Sequence, residues 1–153
     1  MALTISTIVC AYNEADYIGP CLQSLCRQSR PPDEILVVNN ASTDETAAIA
    51  ADVTGVRVID EPQKGLVRAR EAGRLAATGD LLVYLDADCR APEDWLRRVE
   101  RRFDQRPLLV ECALIELDEK VAVLRDMTVG PRRAGVERID RNELRPREHR
   151  MGE

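Results

Sequence analysis

The sequence predicts an α/β fold, a mainly parallel sheet with helices on both faces, and two observations carry that reading. Strand-like and helix-like segments alternate in the order β-α-β-α-β-α-β-α along the first two thirds of the 153 residues. The fourth strand segment, Leu81–Leu85, is apolar throughout, as a strand covered on both faces should be. Charge divides the chain where the regular pattern ends. Residues 1–96 carry 8 basic and 15 acidic side chains, whereas residues 97–153 carry 14 and 12.

The elements follow in order. Thr4–Cys10 is short and rich in β-branched residues, with Asn13 and Glu14 beyond it, and reads as a strand. Ile18, Leu22 and Leu25 recur at helical spacing; Pro20 is compatible only with a first turn, so the helix is expected to start near Tyr17 or Ile18. Pro31-Pro32-Asp33 breaks the chain before the second strand, Glu34–Val38. Ser42 and Glu45 have capping-box spacing and predict a helix running to about Ala51. Val56–Ile59 is a third strand. A helix from Gly65 to Thr78, with Ala69, Ala72, Leu75 and Ala76 on its apolar side, leads into the apolar strand. Ala91-Pro92-Glu93-Asp94 opens a last helix carrying Trp95, Leu96, Val99 and Phe103. After Pro107 regularity fades: Leu108–Leu117 reads as a strand or strand pair, and from Gly130 charges and chain breakers dominate. The expected division is therefore residues 1–106 as an α/β domain and 107–153 as an Arg-rich extension, partly disordered.

Composition excludes several functions. With a net charge of −5, nucleic acid is not expected as the general partner, and 3% aromatic residues leave little to stack single-stranded bases. The 44% apolar share must build an aliphatic core. No apolar run is long enough to span a membrane, and Met1–Ile5 has no basic region of a signal peptide. Five cysteines without a C-x-x-C spacing read as reduced thiols, which points to the cytoplasm. The sole histidine, His149, lies in the tail, so neither histidine acid–base chemistry nor a Ser–His pair is expected in the α/β part.

What remains is polar chemistry at strand ends, where ligands of parallel sheets gather. Asp86-Ala87-Asp88 closes the apolar strand with two carboxylates, hard oxygen donors suited to Mn²⁺ or Mg²⁺. An exposed turn that merely solubilises the strand end is the bland alternative, and Glu116-Leu117-Asp118 repeats the spacing without such a position. Ala11-Tyr12-Asn13-Glu14 and Asn39-Asn40-Ala41-Ser42 add polar groups on the same edge, with turn chemistry as the plain explanation for Asn40. Gly65–Gly73 begins a helix there; Arg68 and Arg70 cannot share one helix face, and Arg68 is the one expected in solvent.

Taken together, Ile8–Glu14, Cys21–Leu25 with Gln28, Glu34–Asp44, Gly65–Gly73 and Thr78–Asp88 with Pro92 and Trp95 resemble the family 2 glycosyltransferases. The resemblance covers about two thirds of the chain and stops near Phe103. It implies a GT-A, Rossmann-like architecture that binds a nucleotide-diphosphate sugar, UDP-sugar being favoured, and transfers the sugar with inversion to an acceptor hydroxyl. It further implies that Ala11, Tyr12, Asn13 and Glu14 hold the nucleoside, that Asn39 stands where the family has a base-reading Asp, and that Arg70 lies near the base and diphosphate. Asp86 and Ala87 would lie by the ribose, and Asp88 would ligate the metal. No motif selects a catalytic base among Glu111, Glu116, Asp118 and Glu119. The expectation is thus a donor-binding half with a truncated or unrelated end. Two alternatives are a catalytically incomplete nucleotide-sugar-binding or assembly module and a sugar-1-phosphate nucleotidyltransferase. The latter needs a Gly-rich basic loop where Ala11–Glu14 stands. Acceptor, peripheral membrane association and homo-oligomerisation are left open.

Overall fold

The structure, a computed structural model, describes residues 3–105 and 121–125. The elements are β1 (Ile5–Ala11), α1 (Ala15–Cys26), β2 (Glu34–Asn39), α2 (Thr46–Ala51), β3 (Val56–Asp60), α3 (Leu66–Ala76), β4 (Leu81–Asp86), α4 (Trp95–Gln105) and β5 (Val121–Arg125). They form one sheet of order β3-β2-β1-β4-β5. The first four strands are mutually parallel, as the alternation predicts, and β5 runs antiparallel against β4. That fifth strand is not foreseen by the sequence pattern; it pairs the free edge of β4, which otherwise would present unsatisfied backbone groups. The strand expected within 108–117 lies outside the described residues, as do the four candidate carboxylates beyond Leu108 and the Arg-rich tail.

Strand alternation sorts the core into two layers. Ile5, Val9, Ile35, Val37, Leu81, Val83 and Leu85 face Ile18, Leu22 and Leu25 of α1, Ala50 of α2, and Trp95, Leu96, Val99 and Phe103 of α4. Ile8, Leu36, Val38, Leu82 and Tyr84 face α3 through Ala69. Helices therefore cover both faces, which explains why β4 can be apolar at every position. Each fully buried aliphatic side chain contributes about 1.5–3 kcal/mol of transfer free energy. Layer α3 sits unusually close: a Cβ on Gly73 would lie 2.6 Å from Ile8 Cγ2 and 3.2 Å from Val38 Cγ2.

Three local expectations change. Helix α1 starts at Ala15, so Pro20 falls in its second turn rather than its first. Its opening is held from outside: Thr46 Oγ1 accepts from the Glu14 N–H at 2.8 Å and Asp44 Oδ2 from the Ala15 N–H at 3.2 Å. The Ser42–Glu45 capping box does not form, because α2 begins at Thr46 and Ser42 Oγ instead accepts from the Asn13 N–H at 3.1 Å. Leu75 is exposed, along with Val67; α3 packs through small residues, and those larger side chains lie on its outer side.

Candidate functional site

The topology itself singles out one place. From β1 the chain builds outward to β2 and β3, then crosses to the other side of β1 to form β4. The reversal leaves a crevice beyond the carboxyl ends of β1 and β4, where ligands of open α/β sheets bind. Cys10 and Asp86 are register partners at that point. Arg70, on α3, brings its guanidinium to 3.8 Å from Asp86 Oδ1. The α3 backbone is anchored there by the Tyr84 hydroxyl, which donates to the Arg70 carbonyl at 3.0 Å. Burial pushes the Cys10 thiol up to about 11, an effect that Arg70 lowers and Asp86 raises.

The loops after β1 and β2 are clasped together. Asn13 adopts a left-handed backbone (φ 54°), and its Oδ1 accepts from the Thr43 N–H at 2.8 Å. Ala41 is also left-handed (φ 60°), an uncommon choice for a residue with a Cβ. Asn40 is buried and serves as a bracket for the β3–α3 connection. Its Oδ1 accepts from the Gly65 N–H at 2.8 Å, and its Nδ2 donates to the Glu61 and Gln63 carbonyls at 3.2 and 2.8 Å. Asn39 instead donates from Nδ2 to Asp60 Oδ1 at 2.8 Å while its Oδ1 accepts from the Ser42 N–H at 3.2 Å. Between the bracketed loop and β1 lies an open cavity of about 200 Å³, lined by Cys10, Ala11, Tyr12, Asn40, Lys64, Gly65, Leu66 and Ala69. The Lys64 ammonium sits 3.7 Å from the centroid of the exposed Tyr12 ring at its mouth, a cation–π pair.

The acidic groups lie on the same edge. Asp86 is partly exposed and Asp88 exposed, and Cys89 Sγ–H donates to Asp88 Oδ1 at 3.6 Å. Burial, then the charges of Asp88, Asp44 and Asp86, raise the Glu14 carboxyl above its ordinary value. A cation among these carboxylates would relieve that repulsion. Among the described residues no three His, Cys, Asp or Glu side chains converge into a complete cage. One or two carboxylates with room for phosphate oxygens and water fit Mg²⁺ or Mn²⁺, which bind in that incomplete way.

Of the sequence-predicted positions, Asp86 and Arg70 are brought together, Ala87 is buried behind them, and Asp88 stands outward. Ala11 and Tyr12 line the cavity, whereas Asn13 and Glu14 join the clasp to the β2 loop. Arg68 is exposed, as expected. Sequence reasoning missed Lys64 and Asp60. A basic residue immediately before the helix-opening Gly65 is a signal for the first; for Asp60 only its place at a strand end was available. Among the described residues no helix is long and apolar enough to cross a membrane, and none of the four described cysteines is in a disulfide.

Comparison with known proteins agrees with this fold. The profile of Glycosyl transferase family 2 matches residues 6–147, continuing well past Phe103, where the sequence reading lost the resemblance. Glycosyltransferase AglE of Haloferax volcanii is 36% identical over 101 residues, covering 61% of this chain and 33% of that protein. The crystal structure of S. aureus TarS in complex with UDP-GlcNAc superposes with a TM-score of 0.62 at 26% identity, over 69% of this chain and 32% of that one. Mannosyltransferase PcManGT from Pyrobaculum calidifontis, in complex with GDP-Man and Mn2+, superposes with a TM-score of 0.56 at 31% identity, over 60% and 29%. The chain spans about a third of the length of the relatives it matches. These neighbours are GT-A fold enzymes, and with a family profile that spans most of its length the chain belongs to glycosyl transferase family 2.

Proposed function

We propose that this chain binds a nucleotide-diphosphate sugar, a UDP-sugar by preference, with a divalent metal, and serves inverting transfer of the sugar to an acceptor hydroxyl. The observation that carries this reading is the meeting of Arg70 and Asp86 at the switch point, one residue short of Ala87 and two short of Asp88. Family membership and the nucleotide-sugar complexes of the structural neighbours support it. In this reading Ala11, Tyr12, Asn13, Glu14 and Asn39 hold the nucleoside, with Tyr12 offering an aromatic face beside it. Arg70 faces the base and diphosphate, and Asp86 and Ala87 border the ribose. Asp88 would ligate Mn²⁺ or Mg²⁺, which when bound supplies charge stabilisation for the departing nucleoside diphosphate. The clasp between the β1 and β2 loops orders the nucleoside side of the site before ligand arrives, which lowers the ordering cost of binding.

Calorimetry with UDP and GDP in the presence of Mn²⁺ tests the reading. Binding is expected to fall at least about tenfold in Asp88→Ala, the loss of one charge-assisted ligand. Absence of binding by the parent, or binding indifferent to Asp88→Ala, overturns it. Sugar release or transfer by the same preparation separates a transferase from a module that binds the donor without turnover.

A further inference from the structure

The least expected contact on the functional edge is the one between Asn39 and Asp60. They are register partners at the carboxyl ends of β2 and the edge strand β3, 21 residues apart in sequence. The orientation of an Asn amide is settled by its partners, and here the partners are of opposite kind. Asp60 offers only acceptor oxygens when ionised, and the Ser42 N–H offers only a donor. Flipping the amide would set Asn39 Oδ1 against the carboxylate and its NH₂ against an N–H, replacing two hydrogen bonds by two repulsions. After both contacts the amide keeps one lone pair on Oδ1 and one N–H for a ligand. Asn39 is partly exposed and Asp60 exposed, so the pair is not sealed in the core.

We propose that Asp60 is a positioning residue for base recognition: it locks the Asn39 amide so that Oδ1 remains the acceptor for a base N–H. This rests on the donor-binding reading in which Asn39 meets the nucleobase. The consequence is selection by hydrogen-bond sense. Uracil and guanine present a ring N–H at N3 and N1, whereas cytosine and adenine present a bare acceptor nitrogen at the corresponding place. A base N–H meets the free lone pair on the locked Oδ1, whereas a bare ring nitrogen meets only repulsion at that point and would have to shift along the amide to reach the remaining Nδ2 N–H. A carboxylate directly at position 39 would also accept, but it would face the Asp60 carboxylate at close range. The two residues thus divide the work, Asp60 carrying the charge and Asn39 the contact.

The test is calorimetry of UDP, GDP, CDP and ADP with the parent, Asp60→Ala, Asn39→Asp, and the double variant carrying Asn39→Asp and Asp60→Asn, with thermal melting of each. The parent should prefer UDP or GDP over CDP and ADP by about tenfold or more, the worth of one satisfied against one opposed hydrogen bond. Asp60→Ala should bring that ratio towards one while melting nearly as the parent does. Asn39→Asp should bind its preferred nucleotide more weakly than the parent, and the double variant should recover affinity and preference. Loss of affinity in Asp60→Ala with an unchanged base ratio would mean a merely structural contact and overturns the assignment. So would an Asn39→Asp variant that matches the double variant, or a parent that prefers CDP or ADP. A parent that binds none of the four diphosphates overturns the donor-binding reading itself, a result distinct from a parent that binds without Asp60 dependence.

Discussion

Arg70 on α3 and Asp86 at the end of β4 face each other at 3.8 Å across the switch point of the sheet, both partly open to solvent. An ion pair so exposed contributes little to stability. In the proposed reading its role is to hold a guanidinium fork beside a carboxylate where the diphosphate arrives, and guanidinium suits phosphate in particular. Arg70→Met is therefore expected to change stability by no more than about 0.5 kcal/mol. The same change should weaken nucleoside diphosphate binding about tenfold or more. Thermal melting and calorimetry on one preparation measure both.

Position 70 depends on how closely α3 lies on the sheet. Gly73, one turn along, has no room for a methyl group beside Ile8 and Val38. Gly73→Ala adds helix propensity worth up to about 1 kcal/mol but overpacks the core by about 1–3 kcal/mol. The expected net is a destabilisation of about 1 kcal/mol in urea denaturation, with weaker nucleotide binding because α3 is displaced. Tyr84 sets the other limit on the helix. Burial, with Cys10 adding, pushes its phenol up to about 12, so it remains a donor to the Arg70 carbonyl throughout the physiological range.

Ala41 bears a left-handed backbone within the β2 loop. A Cβ in that conformation costs about 1–2 kcal/mol, and glycine returns part of that gain to the unfolded chain. Ala41→Gly should raise stability by about 0.5–1 kcal/mol in urea denaturation, opposite in sign to Gly73→Ala.

The far edge of the sheet governs acid stability. Burial raises the Glu34 carboxyl, but hydrogen bonds from Ser6, Arg57 and the Thr78 N–H with the Arg57 charge outweigh it, leaving Glu34 below its ordinary 4.5. A folded value below the unfolded one means that the stabilisation is complete above about pH 4.5 and is withdrawn as pH falls through the folded value. Glu34→Gln should lower stability at pH 7 and flatten the acid limb of a stability–pH profile below that point. Asp33 moves in the same direction, because the Ile5 N–H and Arg30 overcome its burial. Glu14 moves the opposite way, so its contribution declines as pH rises through its raised folded value.

Element order was legible because each element here carries its own local pattern. β-branched runs, an uninterrupted apolar strand and helical apolar spacing all lie within a few residues of one another. The same holds for the acidic close of β4, whose meaning follows from the strand before it. Helix starts were less legible. Ser42 and Glu45 have the spacing of a cap, yet Asn13 claims the Ser42 hydroxyl from 29 residues away, and Thr46 and Asp44 set the start of α1 rather than any residue of its own. Leu75 fits the helical period but lies on the outer side of α3, since close approach is set by Ala69 and Gly73.

By itself, then, the sequence determined the α/β class, the succession of strands and helices through Phe103 and the polar character of the strand ends. Those properties come from local sterics and from the periodicity of burial. Only the tertiary structure decided that Arg70 meets Asp86, that Asn40 brackets the loop before α3, that Asn39 answers to Asp60, and that β5 closes the edge beside β4. Each of these joins residues distant in the chain, and which distant groups meet depends on strand order and register, quantities that no local window contains.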